Sequence, residues 1–261
     1  MTGCLLVGLL AWQGTDAFQP SSNVGGLARR SMEAGTKLSM STMGRTLIDV
    51  NPNTGVRDIQ TMDQWASACG VQRADGFQLT SDDGGRDVYA MTNQNIPANS
   101  PVVLVPNQMI LSAIRARDEI GEAKDAEKRL ILTKTARENL PQFYLFLKIL
   151  VEYEKGPDSP WFPWMNALPR AYYNGASMTT FCFDCLPPFA GWLARKERVR
   201  FIQFFQALKC IDFLGYDTTR NKQLAQWAYS VVFTRGMATP DGDFRIPPFA
   251  DMVRRTHGKE V

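Results

Sequence analysis

One histidine, His257, and five cysteines are the side chains of this 261-residue sequence best suited to acid–base, nucleophilic or metal chemistry, and their placement removes most of it. A zinc site needs several converging ligands, and a paired-histidine mechanism needs a second imidazole. A Ser/His/Asp or Cys/His nucleophile would have to use His257, which lies in a charged stretch with little to fix its ring. Cys182-Phe183-Asp184-Cys185 is a lone CxxC with no second pair and no histidine beside it. It does not complete a tetrahedral metal site, and it reads as two small apolar residues beside a helix. Cys4 falls in the apolar N-terminal run, leaving Cys69, Cys182, Cys185 and Cys210, too sparse for a disulfide scaffold and suited to a reducing compartment. The 29 basic and 26 acidic residues almost balance, at net +3, whereas a nucleic-acid binder would carry a basic patch.

Those residues need elements to hold them. Hydrophobic residues make up 44% and charged residues 21%, enough apolar material for a sizeable core. The first part of the chain reads as an address. Residues 4–12, CLLVGLLAW, form an apolar run about half as long as a bilayer span, the length of a signal-peptide core. Residues 18–55 that follow are rich in Ser, Thr, Gly and Met, with Arg29, Arg30, Lys37 and Arg45 among them, a transit-like composition expected to be disordered. Joined at Ala17-Phe18, with residues 1–17 as the signal, the two segments resemble the bipartite plastid presequences of diatoms and related algae. Plastid localisation is the expectation, and a cytoplasmic chain is the alternative.

From Met62 the pattern is a short amphipathic helix with Trp65, Ala66 and Cys69 on one side, Asp63 in its first turn and Gly70 closing it. Three strands are expected over residues 76–80, 86–92 and 101–106, the last with a buried run at residues 102–105. Asp82-Asp83-Gly84-Gly85 between the first two is a hairpin turn. Residues 113–139 read as solvated helices, and residues 140–155 as a core helix, apolar nearly all round, with Lys148 and Glu152 as a weak i,i+4 pair. Residues 190–212 and 221–235 are further helices, and a turn at Asp241-Gly242-Asp243 leads into a strand over residues 244–249 that Pro247 and Pro248 break. The fold class is α+β.

Four segments carry a resemblance. Gly84-Gly85-Arg86-Asp87-Val88-Tyr89-Ala90 with Asn95-Ile96-Pro97-Ala98 and Val103-Leu104-Val105-Pro106 looks like the opening of SET-domain methyltransferases of the Rubisco large-subunit methyltransferase type. Ser159-Pro160-Trp161-Phe162-Pro163-Trp164-Met165-Asn166-Ala167-Leu168-Pro169 is similar to a tryptophan- and proline-rich segment of that family. Trp227-Ala228-Tyr229-Ser230-Val231-Val232-Phe233-Thr234-Arg235 and Ile246-Pro247-Pro248-Phe249-Ala250-Asp251-Met252 resemble its later motifs, in order and with suitable spacing.

The resemblance implies a SET domain over residues 60–252, a β-rich core of short strands with a large helical insertion at about residues 113–225. It further implies protein-lysine N-methylation with S-adenosylmethionine as methyl donor and a protein partner, such as a stromal protein like the Rubisco large subunit. By that resemblance Gly84, Gly85 and Arg86 would offer backbone groups to the donor's amino-acid end. Arg235 would face its carboxylate or line the pocket, and Asp251 would stand at the inner edge of the site near the incoming amine. Read from the residues alone, Gly84-Gly85 is an ordinary turn and Arg235 a cation at a helix C-terminus. Three departures accompany the match. Gly85-Arg86-Asp87 lacks the second glycine of the family's Gly-x-Gly, Arg254 and Arg255 replace an Asn-His pair, and the family's catalytic tyrosine and helical substrate domain would follow Val261. Residues 253–261 are an anomalous tail unlike the family, expected to come from a truncated or mispredicted product, for example a retained intron, with the C-terminal part of the domain missing. Two other readings stay open, a catalytically inactive SET-like protein-binding module or gene fragment, and a protein-histidine methyltransferase. Nucleic acid, metal and a membrane in the mature form are not expected.

Overall fold

The computed structural model describes residues 47–81, 85, 88–133 and 138–253. The signal-like run, most of the transit-like stretch, Gly84, Arg86 and the tail from Arg254 lie outside the described residues. Ile48 and Val50 are buried, so packed structure begins inside the range whose composition reads as disordered. Arg170 explains why: its Nη2 donates to the Val56 carbonyl at 2.7 Å and fastens residues 49–57 onto the helical block.

Helix α1 (Ile59–Ala68) starts earlier than Met62, because the Asp58 side chain caps it by accepting from the Thr61 amide at 3.0 Å. Asp63 is thus not in the first turn; it pairs with Arg73 at 2.6 Å. Gly70 takes φ +86°, the left-handed ending that glycine allows.

The strands are short and lie in small antiparallel sheets. β1 (Gln72–Arg73) pairs with β4 (Val103–Leu104), and β2 (Phe77–Thr80) with β3 (Tyr89–Thr92). The hairpin pairs Thr80 with Tyr89, so its loop is longer than a two-residue turn. The apolar run at residues 102–105 is not buried throughout: Val102 and Leu104 face solvent, since a two-residue edge pairing covers only one side. β5 (Leu111–Ser112), β6 (Met237–Ala238) and β7 (Phe244–Ile246) form a sheet ordered β5-β7-β6 that joins the segment just before the helical block to the segment just after it. Ser112 Oγ donates to Asp243 at 2.7 Å across this sheet while it caps α2.

The helices are α2 (Ala113–Ile120), α3 (Lys124–Ile131), α4 (Leu140–Lys155), α5 (Phe162–Ala167), α6 (Thr180–Asp184), α7 (Pro188–Leu208), α8 (Tyr216–Arg220) and α9 (Lys222–Arg235). The fold is mixed, predominantly helical with small sheets, as α+β implies. α2 and α3 are helical as their charge patterns predict, but each buries one stripe, Ala113 and Ala116 on one, Ala126 and Leu130 on the other. α4 is the centre. Its Phe143 and Phe146 meet Phe204 of α7 at 5.2 and 5.8 Å, and Phe204 meets Tyr229 of α9 at 5.6 Å.

Because α4 is covered on every side, Lys148 and Glu152 form a buried network rather than a surface pair. Glu152 accepts from Lys148 at 2.9 Å, from Lys155 at 2.6 Å and from Ser159 Oγ at 2.7 Å, and Lys148 also reaches Glu119. A carboxylate inside the core needs this number of donors to remain charged.

Candidate functional site

Arg235 ends α9, and the chain then runs through the β6–β7 hairpin and returns beneath it. Phe249, buried at φ +73° and ψ −52°, has the dihedrals of the strained γ-turn. Pro247 and Pro248 precede it, and its ring is fixed against Phe77 at 5.9 Å and beneath Arg73 at 5.0 Å. This reversal brings Asp251, in a 3₁₀ turn (Ala250–Met252), back against the helix end.

Asp251 Oδ2 accepts from Arg235 Nη1 at 2.9 Å, and both carboxylate oxygens accept from Trp164 Nε1, at 3.3 and 3.2 Å. The Asp251 side chain is 0% exposed and that of Arg235 14%. Arg235 Nη1 also donates to the Asp251 carbonyl at 3.1 Å, and Nε to the Tyr172 hydroxyl at 3.3 Å. Among the described residues Nη2 has no hydrogen-bond partner, which leaves one arm of a charge-balanced guanidinium for a ligand.

Three local features place Tyr172. Trp227 of α9 donates to the Pro169 carbonyl at 2.9 Å, Asn174 Nδ2 donates to Ser230 Oγ at 2.9 Å, and Asn174 Oδ1 accepts from the Ala176 and Ser177 amides. The loop at residues 169–174 is thereby fastened along α9, which brings the Tyr172 hydroxyl to Arg235 Nε. Gly175 must be glycine here, since a Cβ would stand 2.4 Å from the Ala194 carbonyl of α7.

Gly85 joins the neighbourhood through Arg57, whose Nε donates to the Ala167 carbonyl at 2.7 Å and whose Nη1 donates to the Gly85 carbonyl at 3.2 Å. The Arg57 charge also acts on Tyr172. Gly85 sits at φ +91° with open space where a Cβ would be, but its amide already donates to Ser81 Oγ at 2.8 Å. Only its carbonyl retains accepting capacity. Gly84 and Arg86 lie outside the described residues.

Burial pushes the Asp251 carboxyl above the ordinary carboxylate value, partly offset by Arg235 and Trp164. Burial would lower Arg235, but the Asp251 charge and Tyr172 outweigh it and hold the guanidinium protonated. The Tyr172 hydroxyl is raised, by burial first, against the pull of Arg235.

The structure brings Arg235 and Asp251 together and turns the Asp251 carboxyl inward onto Arg235 and Trp164. Tyr172, Trp164 and Arg57 escape sequence reasoning. Trp164 lies within a quoted motif without a role, and Tyr172 and Arg57 carry no spacing signal. Compared with known proteins, the chain matches no family model and no curated protein.

With Asp251 already balancing Arg235, what these residues could offer the amino-acid end of S-adenosylmethionine is hydrogen-bonding capacity rather than net charge. Arg235 Nη2 would meet its carboxylate, and the Tyr172 oxygen or the Gly85 carbonyl its ammonium group. They offer no set of histidine, cysteine or carboxylate side chains suited to a metal among the described residues.

Proposed function

We propose that this chain is an S-adenosylmethionine-dependent protein-lysine N-methyltransferase of SET-domain type. The observation that carries this reading is the buried Arg235, balanced by Asp251 yet with Nη2 unused, beside Tyr172 and the Gly85 turn. Arg235 and Asp251, two of the residues that the motif resemblance singles out, meet directly, and Gly85, a third, is linked to Tyr172 only through Arg57. S-adenosylmethionine would supply an electrophilic methyl group there.

The protein's own residues bind and orient. Asp251 and Trp164 fix the guanidinium, so that binding a carboxylate does not require Arg235 to reorganise. The Tyr172 hydroxyl accepts from Arg235 Nε, and burial pushes its ionisation further up from a value already far above neutral pH. The acceptor in this reading is a lysine side chain of a partner protein, a stromal one such as the Rubisco large subunit if the plastid address is used.

A second reading, a protein-binding module, draws on the exposed rings of Phe181, Phe189 and Trp192 at the α6–α7 corner. Incubating the purified chain with methyl-labelled S-adenosylmethionine and plastid extract separates the two. Label on lysine of an acceptor is the outcome expected of the enzyme. Retention of an extract protein by a chain that binds no S-adenosylmethionine would replace it with the module.

A further inference from the structure

The CxxC pair does not behave as the two small apolar residues its sequence predicts. Cys185 is exposed and Cys182 partly so, both as free thiols. Cys182 lies in α6 and Cys185 caps it at φ −84° and ψ −10°, still helical. Three residues apart on a helix, the two Cα atoms are roughly 5 Å from each other. That is inside the range of roughly 4.4–6.8 Å that a disulfide tolerates. The chain leaves the helix at Leu186 and Pro187 before α7 begins at Pro188.

The surroundings favour reaction at Cys182. Its Sγ is 3.2 Å from Thr179 Oγ1, and that hydroxyl, with the backbone, draws the thiol below its ordinary value. Cys69 differs, because burial pushes its thiol up. Arg195 and Arg198 each stand 5.6 Å over the ring of Phe183, between the two cysteines in sequence, and Arg195 pairs with Asp184 at 3.6 Å, so the acid inside the CxxC is balanced.

We propose that Cys182 and Cys185 are a redox-active dithiol that exchanges with a low-molecular-weight or protein disulfide, Cys182 attacking and Cys185 resolving. The Cys182 thiolate attacks one sulfur of the donor disulfide, forms a mixed disulfide and expels the first donor thiolate. The Cys185 thiolate then attacks Cys182 Sγ and releases the second. The pair loses two electrons and two protons, and the donor gains them as two thiols. The inference does not depend on methyl transfer.

Oxidised glutathione is the probe. The full chain is incubated in glutathione redox buffers, quenched in acid, alkylated and mapped by mass spectrometry. A Cys182–Cys185 disulfide without retained glutathione is expected in the wild type, and a glutathione adduct on Cys182 in Cys185→Ser. In a chromogenic disulfide assay Cys182 is expected to react about fivefold or more faster than Cys69. Glutathione left on either cysteine of the wild type, with no link between them at any buffer ratio, would overturn the proposal. So would a pair that stays reduced throughout.

Discussion

Arg235 illustrates how a buried charge is both a cost and a tool. Asp251→Ala leaves the guanidinium without its counter-charge, and the expected loss of stability in urea denaturation is about 3–5 kcal/mol. Replacing both partners by apolar residues, Arg235→Met with Asp251→Leu, is expected to regain most of it, because no charge is then left unpaired. Glu152 makes a pH-dependent statement. Burial would raise its carboxyl, but bonds from Lys155, Lys148 and Ser159 hold it below its ordinary value of 4.5. The folded value is thus the lower one, so the stabilisation is complete above 4.5 and lost as pH falls through the folded value. Asp251, raised by burial, acts in the opposite sense, its contribution being fully present below the unfolded value and lost as pH rises. Stability measured against pH is expected to fall on acidification below 4.5, less steeply in Glu152→Gln than in the wild type. At this scale Arg235 and Asp251 were legible because they sit in contiguous motifs. Tyr172, Trp164 and Arg57 were not, because what brings them in is a loop fastened to α9 and a guanidinium bridging segments 28 and 110 residues away.

Among elements, the turn from α9 into β6 controls where Arg235 points. A Cβ on Gly236 would stand 2.1 Å from Phe244 Cε1 and 2.7 Å from the Val232 carbonyl. Gly236→Ala must therefore displace the β6–β7 hairpin or the helix end, at an expected cost of about 1–3 kcal/mol in thermal unfolding. α4 and α9 were readable to within two residues from apolar periodicity, since each is long and its pattern is local. Of the two-residue strands only β4 falls in an expected strand, and β5 was not readable because it exists only where it meets β7 more than a hundred residues later. The cap of α1 was also missed, because Asp58 lies outside the periodic stretch that revealed the helix.

At the scale of the whole molecule, the rings of Phe181, Phe189, Trp192 and Tyr216 are exposed. Binding of a hydrophobic dye by the native protein is expected, and Phe189→Glu with Trp192→Glu is expected to reduce it without lowering the melting temperature. The central claim concerns what the Arg235 site holds. Its most direct test is equilibrium binding of S-adenosylmethionine to the folded wild type and to Arg235→Lys, which keeps the charge facing Asp251 but loses the planar fork. Micromolar, saturable binding by the wild type, weakened about tenfold or more by the substitution, is the expected result. A folded wild type with no saturable binding at millimolar S-adenosylmethionine would contradict it.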